Sequence, residues 1–232
     1  MNKKIVSIHQ PQYLPWVPYF NKILRSDEHI VLDNVQFQKN GVQNRNQIKT
    51  SQGAAWLTVP VRHRFGQLIN ETEVADEKTL AKHLRSIEVN YRRSRYFAEV
   101  FDLFQRVLDQ PCALLVQVNN NCVGAVLDYF GYGGKIREAS SLGVEGKGSE
   151  LILNICKAVG ATTYLSGPGG RNYLHLDEFQ AQGILVVFQE YHPVEYQQLF
   201  PERGFIKDLS VIDLLFNLGP ESLEFVGRGR CV

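Results

Sequence analysis

His9 and Asp33 are the residues of this chain best suited to chemistry. Each follows a short apolar run: Ile5-Val6-Ser7-Ile8 precedes His9, and Ile30-Val31-Leu32 precedes Asp33. An imidazole titrates near neutrality and can take or give a proton during a reaction. A carboxylate can orient that imidazole, receive a substrate ammonium or bind a metal. Around both lie side chains that donate and accept hydrogen bonds. Gln10, Gln12 and Tyr13 follow His9; Gln36, Lys39, Asn44, Arg45 and Asn46 follow Asp33. Amides suit sugar hydroxyls, Lys39 and Arg45 suit phosphates, and the rings of Tyr13 and Trp16 can stack on a base or a sugar. The bland alternative is that Asp33-Asn34 opens a turn and that His9 is a satisfied loop histidine.

For these groups to work together, the two apolar runs must be parallel neighbours. The crossover from His9 to His29 is long enough for a β-α-β unit. Pro18 is a natural first-turn residue for its helix, Tyr19, Phe20, Ile23 and Leu24 form the apolar face, and Ser26-Asp27 ends it. Residues just past parallel strands share one edge of the sheet, where open α/β sheets bind ligands. A third strand, Thr162–Ser166, runs into Gly167-Pro168-Gly169-Gly170-Arg171. Ser166, Gly167, Gly169, Gly170 and Arg171 are therefore phosphate-binding candidates, since glycines let backbone N–H groups approach an anion and Arg171 adds a cationic fork. The pattern is neither a P-loop nor G-x-G-x-x-G. Ser140–Gly148, with Lys147, is a second candidate anion loop. The basic stretch Arg62, His63 and Arg64 is a candidate closing loop.

Helical periodicity covers the middle of the chain. Leu80, Leu84, Ile87 and Tyr91 form one apolar stripe, and His83 and Asn90 lie at its margin, where a pocket-facing residue would sit. Phe97, Phe101, Phe104 and Leu108 mark a second helix; Leu115, Val118, Cys122, Val126 and Tyr129 mark a third. Ala55–Val59, Lys135–Arg137 and Ile184–Phe188 read as strands, the last as the most buried. Ser210 and Asp213 resemble a capping box. These elements predict an α/β fold: an open, mostly parallel (Rossmann-like) sheet with flanking helices. The whole of residues 1–232 forms one domain, with a helical insertion at about 76–131.

Composition narrows the function. Lys plus Arg number 25 against 24 Asp plus Glu, a net charge of +1, which argues against a dedicated nucleic-acid surface. No apolar run approaches the roughly 20 residues of a membrane span. The run after Met1-Asn2-Lys3-Lys4 is too short for a signal peptide, so a cytoplasmic location is expected. Cys112, Cys122, Cys156 and Cys231 show neither zinc spacing nor a disulfide framework. No Ser-His-Asp set, G-x-S-x-G elbow or H-E-x-x-H is present. The tail Arg228–Val232 reads as a mobile end without a role.

Five segments carry a family resemblance: IHQPQYLPWVPYFNKI, LDNVQFQKNGVQNRNQIKT, KHLRSIEVNY, YLSGPGGRNYL and DLSVIDLLFNLG. Together they resemble the WbqC-like family over nearly the whole chain and in the same order. The resemblance implies a setting in bacterial surface-polysaccharide (O-antigen) biosynthesis. Some members are proposed to be glycine or other aminoacyl transferases acting on amino sugars. The expected activity is thus an amide-forming acyl or aminoacyl transferase, or a ligase, with His9 and Asp33 as catalytic residues. Its expected partners are a nucleotide-linked amino sugar and an amino acid or activated acyl donor. ATP with Mg is the expected cofactor if the acyl group is activated as an adenylate. The rival reading is a non-catalytic nucleotide-sugar-binding protein of a polysaccharide assembly complex. The opening layout is also similar to that of pantothenate synthetase-type nucleotidyltransferases. Their H-x-G-H motif, however, is replaced here by His9-Gln10-Pro11-Gln12, with no second histidine.

Overall fold

The computed structural model describes residues 3–76, 78–227 and 230–231. Its strands are β1 (Ile5–His9), β2 (Glu28–Val31), β3 (Arg45–Thr50), β4 (Gly53–Thr58), β5 (Val61–Arg62), β6 (Glu73–Val74), β7 (Lys135–Glu138), β8 (Thr163–Ser166), β9 (Leu185–Glu190) and β10 (Arg230–Cys231). Its α-helices are α1 (Val17–Leu24), α2 (Lys78–Tyr91), α3 (Phe97–Leu108), α4 (Leu115–Tyr129), α5 (Gly148–Ala158), α6 (Leu176–Ala181), α7 (Val211–Leu218) and α8 (Ser222–Gly227).

The main sheet has the order β10-β9-β8-β1-β2-β7. From β9 to β7 every neighbouring pair is parallel, and only β10, at the edge, is antiparallel. From β1 the chain moves outward through β2 to β7, then returns to β8 on the opposite flank and moves out to β9. The strand order therefore reverses between β1 and β8. At such a point the connections leave in opposite directions, and a crevice opens beyond the carboxyl ends of the two strands.

Period-2 alternation sends β1 side chains to opposite faces. Val6 and Ile8 join a core cluster with Ile152 and Ile155 of α5 and Phe179 of α6. Ser7 and His9 face α1: Ser7 Oγ lies 2.8 Å from Ser26 Oγ, and the His9 ring packs edge-on against Tyr19 with centroids 5.1 Å apart. A second cluster joins α1 to α2, α3, α4 and α7 through Phe20, Ile87, Phe104, Cys122 and Phe216. Helix α1 starts as its sequence suggests, with Pro18 in the first turn.

Several elements depart from the sequence reading. The strand expected at Ala55–Val59 is β4, but it pairs with β3 in a hairpin, and neither that hairpin nor the short β5–β6 pair joins the main sheet. Asn44 borders that hairpin, while Arg45 and Asn46 lie within β3 rather than in a ligand loop. The apolar stretch expected to be the most buried strand, β9, is second from the edge, and its Leu185 is 61% exposed. Asp213 is not simply half of a capping box. Ser210 Oγ does accept from the Ile212 N–H, but the buried Asp213 carboxylate accepts from Tyr91 (2.8 Å) and Tyr196 (2.7 Å). Cys112, Cys122 and Cys156 are free and buried, and burial raises each thiol pKa. Of the tail, Arg230 and Cys231 pair with β9, and Arg228, Gly229 and Val232 lie outside the described residues. No helix among the described residues is long and apolar enough to cross a membrane.

Candidate functional site

A hollow of about 350 Å³ opens where the strand order reverses. His9 and Gln10 from the end of β1 form one wall, and Ser166 with the Gly167–Gly170 turn after β8 forms the other. Lys22 of α1, Ile152 of α5, Tyr164 of β8, Trp16 and Tyr173 also line it, with Ile8 and Leu32 beside them. Trp16 is 36% exposed and Tyr173 47% exposed, so both rings border solvent. A larger surface depression of about 470 Å³ is lined by Leu176, Gln180 and Leu185, with no titratable side chain in its wall.

His9 is half-buried, and its tautomer follows from its neighbour. Nδ1 lies 2.9 Å from the Gln10 carbonyl, which can only accept, so Nδ1 carries the hydrogen and Nε2 keeps its lone pair. The pKa falls from 6.5 to about 3. Burial is the largest cause and the Lys22 charge adds to it; the bond to Gln10 opposes them. At neutral pH the ring is therefore an uncharged acceptor.

Beneath it lies a buried polar group. His29 Nδ1 is 2.8 Å from Ser7 Oγ, Nε2 is 3.5 Å from the Tyr19 hydroxyl, and burial holds the pKa of His29 well below its ordinary value. Lys22 is 2% exposed. Its Nζ donates to the Ile8 carbonyl at 3.3 Å, and burial lowers its pKa from 10.5 to about 7. The Nζ lies 3.8 Å from where a side chain on Gly167 would begin, at the mouth of the glycine turn.

The turn after β8 is a 3-10 helix, Pro168–Asn172, rather than an open loop. Gly170 is fixed there by space. A Cβ would lie 2.1 Å from Ser166 Oγ and 2.9 Å from Leu174 Cδ1, inside contact distance.

Of the residues singled out in the sequence, His9, Gln10, Trp16, Ser166, Gly167, Gly169 and Gly170 meet at the hollow. The others are elsewhere. Asp33 does not line it. Its Oδ1 accepts from the Ser140 N–H at 2.9 Å and its Oδ2 from the Ser140 hydroxyl at 2.6 Å, so it holds the segment after β7 against the end of β2. Arg171 turns toward β9, 4.2 Å above the Phe188 ring and 3.8 Å from Glu190. Arg45 lies 4.4 Å over Trp56 and donates to the Asn40 carbonyl. Lys39 and Gln36 are exposed on the segment after β2, where Gln36 bridges to Leu68 through the backbone.

The buried amides serve the backbone. Asn44 donates to the Val59 carbonyl (2.8 Å) and Asn46 to the Leu14 carbonyl (2.7 Å); Gln12 is also buried away from the hollow. Tyr13 donates to His83 Nδ1 at 2.8 Å inside the helical layer, and burial lowers the His83 pKa to about 4. Asn90 donates to the Ser86 carbonyl and borders a separate depression with Phe200. Gln10 is tied to the segment after β2 through Gln43 Nε2, 2.8 Å from its Oε1.

Sequence reasoning missed Lys22, His29, Tyr164 and Tyr173. For Lys22 a signal existed. It lies three residues after Tyr19 and thus on the apolar stripe of α1, where a cation is out of place. The lining holds no carboxylate, the side chain by which proteins most often hold Mg. No group of three or more His, Cys, Asp or Glu able to hold a metal occurs among the described residues.

Comparison with known proteins adds a family. The model for the WbqC-like protein family matches residues 10–225. An uncharacterized protein of Mycobacterium tuberculosis, Rv1507c, is 35% identical over 227 residues, covering 96% of this chain and 97% of its own. No solved structure matches.

Proposed function

The chain belongs to the WbqC-like protein family, and from that membership we propose a role in polysaccharide biosynthesis as an amide-forming acyl or aminoacyl transferase. In this reading the switch-point hollow takes a nucleotide-linked amino sugar, with glycine or another amino acid as the acyl group. The observation that carries it is His9: an uncharged imidazole at the wall of the hollow with its Nε2 lone pair left free by the Nδ1 contact to Gln10.

Amide formation needs an activated acyl carbon and a base for the amine proton. The sugar amine attacks that carbon and a C–N bond forms. The bond to the leaving group breaks, and the leaving group departs with its electron pair. The excess amine proton passes to His9 Nε2. Burial and the Lys22 charge both disfavour imidazolium. An anionic substrate beside Lys22 offsets that charge, so it no longer opposes proton transfer to His9 once the site is filled. Trp16 and Tyr173 offer rings on which a nucleobase or sugar can stack. Asp33 enters only as a positioning residue, through Ser140.

The test is incubation with ATP, glycine and a nucleotide-linked amino sugar, followed by mass spectrometry, for the native protein and His9→Gln. The expected result is an amide product whose rate falls about 100-fold or more in the variant, with nucleotide-sugar affinity retained. Equal rates would remove His9 from the chemistry. Absence of product with ATP, thioester and aminoacyl-tRNA donors, with affinity intact, would favour a binding protein of the assembly complex.

A further inference from the structure

We propose that Lys22 is the anion anchor of the hollow: it receives the diphosphate of the nucleotide and takes up a proton from solution as the nucleotide binds. The inference deepens the proposed function and rests on its reading of the hollow as a nucleotide-sugar site.

The first argument is elimination by position. Lys39, Arg45 and Arg171 have the right charge, but none lines the hollow; Lys22 does. The second is what surrounds the amine. Its Nζ has one hydrogen-bond partner among the described residues, the Ile8 carbonyl, and no ion pair. An ammonium has three donors, so two are left over in a nearly water-free setting. The titratable groups that feel its charge are His9 on β1 and His29 on β2, both uncharged at neutral pH; Tyr19 on α1 packs against both rings and Tyr164 on β8 lines the same hollow. Burial lowers the Lys22 pKa, and no carboxylate in the lining offsets that effect. A buried cation with no counter-charge is costly unless a ligand supplies one.

A diphosphate supplies that charge and accepts the spare hydrogens. Nζ also lies close to the glycine turn that walls the hollow, 3.8 Å from where a Cβ on Gly167 would sit. With its pKa near 7 in the free protein, the amine is mostly uncharged at pH 8. Ion pairing with the phosphates then draws a proton onto it. For an amine that goes from mostly uncharged to fully charged at pH 8, uptake approaches about 0.9 proton per nucleotide.

The experiment is calorimetric titration of the full-length protein with UDP at pH 8, in buffers of different ionisation enthalpy. UDP itself is fully ionised there, so it contributes no protons. The expected result is binding with uptake of roughly 0.9 proton, and weakening by about 10- to 100-fold in Lys22→Met with the uptake abolished. Binding of UDP to the native protein without proton uptake overturns the proposal, and so does failure of UDP to bind. Both outcomes are read on the native protein, so neither depends on the variant folding. If UDP binds with uptake but no amide product forms with any donor, Lys22 stands as the anchor and the transferase reading falls. If product forms but UDP binding is indifferent to Lys22, the reverse holds.

Discussion

Replacing Asp33 separates a scaffold role from a catalytic one. Its two oxygens accept from the Ser140 N–H at 2.9 Å and the Ser140 hydroxyl at 2.6 Å, and the residue is 1% exposed. Hydrogen bonds to a charged acceptor contribute roughly 1.5–3 kcal/mol each, so Asp33→Ala should cost about 3–6 kcal/mol. Asp33→Asn is milder. Its amide oxygen can keep the Ser140 N–H, and its NH2 can donate to a hydroxyl that rotates to accept. What is lost is charge assistance, about 1 kcal/mol. With a urea m-value of about 2–3 kcal/mol/M, Asp33→Ala should lower the midpoint by roughly 1–3 M and Asp33→Asn by at most about 0.5 M. Urea denaturation at pH 7 followed by tryptophan fluorescence measures both. Nucleotide-sugar binding and turnover are then compared below the transition, where the expected change in Asp33→Asn is less than about threefold. A denaturation midpoint equal to the native one, combined with turnover reduced 100-fold, would refute the scaffold role and return Asp33 to the chemistry.

Two further outcomes follow from the buried groups. His9 and His83 have folded pKa values of about 3 and about 4, and that of His29 is well below its usual value. Unfolded imidazoles titrate near 6.5, so between 6.5 and 4 the unfolded chain binds more protons, and stability is lost as the pH falls through that window. Each fully protonated unfolded histidine contributes about 1.4 kcal/mol per pH unit, and a denaturation midpoint that stays flat from pH 6.5 to 4 contradicts the burial of all three. Gly170→Ala places a methyl 2.1 Å from Ser166 Oγ and should cost roughly 1–3 kcal/mol; an unchanged melting temperature would show that the turn is looser than the geometry indicates.

Local pattern determined much of this protein. Short apolar runs ending in polar bursts specified β1 and β2, a first-turn proline specified α1, and period-3.6 stripes specified α2, α3 and α4. Those signals are local, because burying one face of a strand or helix imposes its period on the sequence. They were enough to name the parallel β1–β2 pair and to put His9 at the carboxyl edge of the sheet. Side-chain partnership was not legible, because it depends on which distant segment packs opposite. Asp33 and His9 read alike in sequence, each polar and each following an apolar run. Only the arrival of Ser140, 107 residues later in the chain, occupies both Asp33 oxygens, while His9 keeps Nε2 free. The same holds for charge. Lys39, Arg45 and Arg171 advertise themselves in polar stretches and are drawn to solvent, Trp56 and Glu190. Lys22 sits within an apolar face and reaches the hollow because the return of β8 beside β1 puts the glycine turn against α1. That crossover is a long-range pairing, and no local period in the sequence encodes it.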